Sequence, residues 1–156
     1  MTQSLLFVCL GNICRSPLAA AIARKRADEL GLSLRIDSAG IGGWHLGQGA
    51  DARAVVAARV NGIELDGHVA RKLTAEDLEA FDLILIADQE VYNHVATMAP
   101  ERLMSKIAYL ASFGQAADTA GTLDIPDPYY TGRFDPVIAQ LEDCVAGVLR
   151  HATAEQ

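Results

Sequence analysis

"VCLGNICRSP" occupies Val8–Pro17, and its reading decides the fold. Just upstream, Leu5–Cys9 is a short apolar run that reads as a buried strand. Just downstream, Ser16 is a good N-cap and Pro17 suits a first helical position. The Ala-rich segment Leu18–Leu30 then reads as a helix, closed by Gly31. A buried strand that passes through a short glycine-bearing loop into a helix is the first half of a βαβ unit. The loop itself crowds Cys9, Gly11, Asn12, Cys14, Arg15 and Ser16 together.

Working outward, the alternation continues. Leu34–Ser38 reads as a second strand. Ala39–Gly49 holds five glycines with Trp44 and His45, and reads as a loop. Ala52–Val60 reads as a helix ending at Asn61-Gly62, and Thr74 with Asp77 forms a capping box for a short helix to Ala80. Asp82–Ala87 is a third strand, Gln89–Ala96 a helix, and Ile107–Leu110 a fourth strand. Ala116–Arg133 is a long loop rich in Asp, Gly, Pro and Tyr. Asp135 and Pro136 cap and open a last helix to about His151. Short apolar strands alternating with helices predict the α/β class: one doubly wound parallel sheet covered on both faces. No repeat or linker divides the 156 residues, so a single domain over 1–156 is expected. Such sheets bind ligands at the carboxyl ends of their strands, and a helix N-terminus there favours anions.

The composition sets bounds. At 51% hydrophobic residues the chain buries a core without staples. The apolar run Leu5–Leu10 is too short for a signal-peptide core or a membrane span. The three cysteines cannot all pair within one chain, so a reducing, cytoplasmic setting is expected, where thiols are more often catalytic or metal-binding than structural. A formal net charge of -7 argues against non-specific partnership with nucleic acid or a membrane surface. It permits a local cationic pocket, and no acidic residue stands between Arg15 and Ala27.

Three chemistries compete for the loop. Cys9 and Cys14 could supply half a zinc site, but Cys144 falls in a helix and His45, His68, His94 and His151 have no clustered spacing. As mere core thiols, the cysteines would leave Gly11, Asn12, Arg15 and Ser16 without a reason. An anion nest accounts for all of them. Successive backbone N–H groups from Cys9 to Arg15 turn inward, Gly11 allows close approach, and Arg15 forks onto the equatorial oxygens of a phosphate. The same amides, the helix dipole and Arg15 stabilise a thiolate at Cys9, and Ser16 is placed to donate to that sulfur. One loop then binds a tetrahedral oxyanion above a nucleophile. A second group must protonate the leaving oxygen and later activate water. The Pro-flanked stretch "TLDIPDPYYTGRF" offers Asp124 and Asp127.

With these residues in place, the sequence resembles the low-molecular-weight protein tyrosine phosphatases. That family carries the loop near its N-terminus as V-C-x-G-N-x-C-R-S-P, which Val8–Pro17 matches. "DSAG" at Asp37–Gly40, "GHVARKL" at Gly67–Leu73 and "DPYY" at Asp127–Tyr130 match three further segments, so the likeness covers essentially the whole chain. The resemblance implies a four-stranded parallel sheet flanked by helices on both faces, with the phosphate-binding loop after the first strand. It implies hydrolysis of phosphotyrosine or a small aryl phosphate through a phosphocysteine on Cys9, with inorganic phosphate as product and neither metal nor other cofactor. Arg15 would clamp phosphate, and Asp127 would act as general acid and then base. Leu10, Gly11, Asn12, Ile13, Cys14 and Ser16 would line the substrate, with Trp44, Tyr129 and Tyr130 flanking its ring. Ser38 and His68 would hold Asn12, and Asp88 would stand nearby, although Asp88 reads equally well as an N-cap. The alternatives are an arsenate reductase on the same fold, a phosphocysteine carrier and a non-catalytic phosphate-binding module. The first wants a further pair of thiols, the second no hydrolytic acid, and the third no Cys9.

Overall fold

A computed structural model describes residues 1–115 and 122–154. Residues 116–121 of the expected long loop lie outside the described residues. Ser4–Cys9 forms β1, and every side chain of it is buried. The period-two geometry of a strand sends alternate residues to opposite faces. Leu5 and Phe7 therefore enter one core and Leu6 and Val8 the other. The first core is closed by α1 (Arg15–Glu29), α2 (Ala52–Val60) and α6 (Phe134–Ala154), through Leu18, Ile22, Ala54, Ala58, Ile138 and Leu141 among others. The second is closed by α3 (Ala75–Ala80) and α4 (Gln89–Met98), through Leu78, Val91 and Val95. Each large apolar side chain fully buried this way contributes roughly 1.5–3 kcal/mol.

The other strands are β2 (Arg35–Gly40), β3 (Leu83–Ile86) and β4 (Ile107–Tyr109). All pairings are parallel, in the order β2-β1-β3-β4. The chain leaves β1 for β2 on one side and returns to β3 on the other. The order thus reverses beside β1, and the carboxyl ends there open a crevice. Cys9 closes β1 opposite Gly40, and Ala87 follows β3 with its N–H bonded to the Val8 carbonyl. The expected four-stranded parallel sheet with helices on both faces is present.

Local readings shift in several places. Helix α1 begins at Arg15, with Cys14 at the cap and no side-chain cap bond. Ser16 lies inside the first turn, because buried partners at Cys9 and Asn12 take its hydroxyl. Strand β2 runs on through Ala39 and Gly40, since the Gly40 N–H donates to the Arg71 carbonyl and the Leu73 N–H to the Gly40 carbonyl. A one-turn helix α5 (Pro128–Thr131) stands inside the expected loop, capped by Asp127. The last helix starts at Phe134, one residue ahead of the expected Asp135 cap. The Thr74–Asp77 capping box is formed in both directions.

Candidate active site

The loop after β1 wraps around the Cys9 sulfur. The Asn12 N–H points at Cys9 Sγ from 3.3 Å, and Ser16 Oγ lies 2.9 Å from it. Asn12 Nδ2 donates to Ser16 Oγ at 2.8 Å, which leaves the serine proton for the sulfur or for the Ala39 carbonyl at 3.4 Å. The sulfur is much the nearer.

Asn12 holds this shape at a conformational cost. Its φ is 60°, the only non-glycine φ in the left-handed region among the described residues. Four groups from three segments over-determine it. Its Nδ2 donates to Ser16 and to Ser38 Oγ at 2.9 Å; its Oδ1 accepts from the Arg71 N–H at 2.9 Å; its carbonyl meets His68 Nε2 at 2.7 Å. An imidazole nitrogen facing a carbonyl must carry the proton. Burial opposes a charge on this ring and holds its pKa below the usual histidine range, although the bond to Asn12 works the other way. Gly40 permits the loop to lie against β2. A Cβ there would stand 3.0 Å from Leu10 O, Gly11 C and Asn12 N, all backbone atoms.

Arg15 is buried, with 3% of its side chain exposed. Its Nη1 donates to Asp88 Oδ2 at 2.7 Å and to the Ile125 carbonyl at 2.8 Å, and its Nη2 lies 3.5 Å from Asp127 Oδ2. Burial works against this cation, but the negative charges of Cys9, Asp88 and Asp127 outweigh it and raise its pKa. Asp88 combines both of its readings, because its other oxygen accepts the Val91 N–H at 2.9 Å and caps α4. Asp127 likewise divides its oxygens: Oδ1 caps α5 by accepting the Tyr129 N–H at 3.0 Å, and Oδ2 faces Arg15. Asp124, the other acid of the stretch, accepts the Gln89 N–H instead and does not line the cleft.

A cleft of about 230 Å³ rises from the sulfur, lined by Cys9, Leu10, Gly11, Ile13, Cys14 and Arg15 at its base. Trp44, Asp127, Tyr129 and Tyr130 form its upper walls. Asn12 and Ser16, both expected against the substrate, are buried and do not line the cleft. Trp44 is 66% exposed and its ring lies over Gly42, where a Cβ would fall 1.8 Å from the ring carbon Cζ3. Burial pushes the Cys14 thiol well above its ordinary range, with Asp51, Cys9 and Asp127 adding to the effect. Cys144 is also buried, in α6, where burial and Asp143 push its thiol up to about 11. It does not line the cleft. Among the described residues, no three His, Cys, Asp or Glu side chains gather as a metal site, and no helix is long and apolar enough to cross a membrane.

Two participants escaped sequence reasoning. His45 lines the cleft and packs on Gly11, whose absent Cβ would lie 2.9 Å from His45 Cδ2. A glycine-rich loop gave no sign of which residue would turn inward. Arg71 acts on Asn12 through its backbone N–H, a group every residue but proline possesses, so its residue type gave no sign of it, although it lies in the "GHVARKL" segment that the resemblance singled out.

The model of the low molecular weight phosphotyrosine protein phosphatase family matches residues 4–156. The chain is 45% identical over 136 residues to the low molecular weight protein-tyrosine-phosphatase YfkJ of Bacillus subtilis, covering 86% of this chain and 85% of that one. The crystal structure of YfkJ superposes with a TM-score of 0.93, at 39% identity, over 100% of this chain and 98% of that one. A protein tyrosine phosphatase from Entamoeba histolytica, crystallised with Hepes in its active site, gives a TM-score of 0.92 at 34% identity over 99% of both chains.

Proposed function

Because the chain belongs to the low molecular weight phosphotyrosine protein phosphatases, we propose that it hydrolyses aryl phosphate monoesters by way of a phosphocysteine on Cys9. Its substrates are tyrosine-phosphorylated proteins or small aryl phosphates. The observation that carries this reading is the convergence on one sulfur: Asn12 N–H and Ser16 Oγ reach Cys9 Sγ at the base of a cleft that Arg15 and Asp127 also face.

The substrate phosphate sits in the loop, its oxygens taken by backbone N–H groups and by Arg15. Asp88 and the Ile125 carbonyl fix Nη1, so Nε and Nη2 make the fork onto the anion. The Cys9 thiolate attacks phosphorus in line with the leaving oxygen. The S–P bond forms as the P–O bond to the aryl group breaks, and Asp127 gives that oxygen its proton through Oδ2. The Asp127 carboxylate then takes a proton from water as the water oxygen attacks the phosphocysteine, which frees inorganic phosphate and the thiolate. Trp44, Tyr129 and Tyr130 flank the aromatic leaving group. The loop amides and the α1 N-terminus stabilise charge as it develops on the phosphoryl oxygens.

The test is turnover of phenyl phosphate and of an activated nitrophenyl phosphate, with chelator present, in Cys9→Ser and Asp127→Asn. Cys9→Ser should lose at least about a thousandfold, roughly 4 kcal/mol of barrier lowering, yet still bind phosphate. Asp127→Asn should lower kcat/KM for phenyl phosphate far more than for the activated ester, whose leaving group needs less protonation. Turnover of Cys9→Ser within about a hundredfold of wild type would end the phosphocysteine reading.

A further inference from the structure

We infer that Arg53 is a positioning residue that fixes the general acid against the phosphate loop, an inference that rests on the reading of Asp127 as that acid. The segment bearing Asp127 has no strand or long helix of its own to hold it. Helix α5 is a single turn, Pro128–Thr131, and one turn does not sustain itself. Before it, the Ile125 N–H is bonded to the Ala87 carbonyl; after it, Phe134 enters the core.

Between these anchors, Arg53 reaches across from the start of α2. Its Nη2 donates to the Tyr129 carbonyl at 2.9 Å. Its guanidinium also covers the rings of Tyr129 and Phe134, 5.6 and 5.2 Å from their centres. The same guanidinium is pinned from behind. Nε and Nη2 bond the two Asp51 oxygens at 3.1 and 2.9 Å, and the Asp51 N–H donates to the Ile13 carbonyl at 2.9 Å. A continuous run of bonds therefore joins Ile13 of the phosphate loop to Tyr129, two residues beyond Asp127.

Arg15 makes a second link to the same segment, at Ile125 and Asp127. In the proposed reaction, however, phosphate claims its Nη2. Arg53 does not line the cleft, so phosphate does not compete for its link. The task needs a planar fork, since one guanidinium bonds Asp51 twice and Tyr129 once; an ammonium on a flexible stem cannot hold those directions together.

The experiment measures kcat/KM, which reports phosphoenzyme formation, for phenyl phosphate and an activated nitrophenyl phosphate in Arg53→Gln, Asp127→Asn and the double variant. A displaced acid costs about tenfold to a hundredfold. Arg53→Gln should lose that much on phenyl phosphate and about twofold or less on the activated ester. In the Asp127→Asn background it should change neither by more than about twofold, because no acid remains to misplace. Equal slowing of both esters by Arg53→Gln, or its full loss repeated in the double variant, would overturn the proposal while leaving a leaving-group-dependent Asp127→Asn intact. Equal slowing by Asp127→Asn itself would remove the acid reading and this inference with it. Should Arg53→Gln fail to fold, Arg53→Lys carries the same comparison, with the same leaving-group pattern expected and the same results overturning it.

Discussion

His68 Nε2 stands 2.7 Å from the main-chain oxygen of Asn12, so a ring from a distant segment holds the left-handed residue at the heart of the loop. Burial disfavours the charged form of this histidine and lowers its pKa. A lowered folded-state pKa means that the unfolded chain binds the proton more readily. The stability tied to the neutral ring is therefore present above the unfolded value near 6.5 and is lost as pH falls through the lower folded value. Thermal melts between pH 8 and 5 should show a steeper acid loss in wild type than in His68→Gln, whose amide still donates but does not titrate. Identical pH slopes in the two proteins would mean that His68 carries no such linkage.

Asp88 offers a way to separate anchoring from capping. Its Oδ2 holds Arg15 and its Oδ1 caps α4. Asp88→Asn keeps an oxygen for the cap but weakens the charged anchor, whereas Asp88→Ala loses both. Both should lose activity, about tenfold or more in kcat/KM, because the phosphate fork is no longer aimed. Both should also lose stability through the buried Arg15, and Asp88→Ala should lose about 1 kcal/mol more than Asp88→Asn in urea unfolding, the usual worth of an N-cap. Equal stability in the two variants would show that the cap contributes nothing.

Gly40 and Gly43 make a matched pair. An added Cβ at Gly40 meets three backbone atoms of the loop at 3.0 Å, whereas at Gly43 it meets nothing within 4 Å. Gly40→Ala should weaken inhibition by inorganic phosphate by about tenfold, since the donors must shift by tenths of an ångström. Gly43→Ala should leave it alone. Competitive inhibition measured on both variants decides this, and equal constants would show that the loop absorbs the extra carbon.

Much of this molecule was legible in its sequence, and the reasons are local. Leu5–Cys9 announces a buried strand by its unbroken apolar run, and the Thr74–Asp77 spacing announces a cap. The α5 turn was missed because four residues show no period. The Asp-Pro pair at Asp127-Pro128 was nevertheless the same opening signal that marked Asp135-Pro136. The site was legible where its members adjoin, from Cys9 to Ser16. Across the fold, residue types alone did not join Ser38 and His68 to Asn12; the resemblance did. Arg53 looks like an ordinary exposed cation at the start of a helix, and the carbonyl it holds lies 76 positions away. Asp88 left two readings open because sequence does not say that its two oxygens face different ways.

The clearance at Gly40 bears on how portable the phosphate loop is. Residues 8–17 look like a self-contained cassette that could be spliced between any parallel strand and helix. Yet the loop presses on a neighbouring strand that lacks a side chain at the point of contact. Its most strained residue is gripped by Ser38, His68 and the Arg71 amide. A graft of the ten residues alone would import the thiol and the guanidinium without the mould that shapes them. The transplantable unit is discontinuous: the cassette, the end of the adjoining strand and the 67–73 segment that pairs with it.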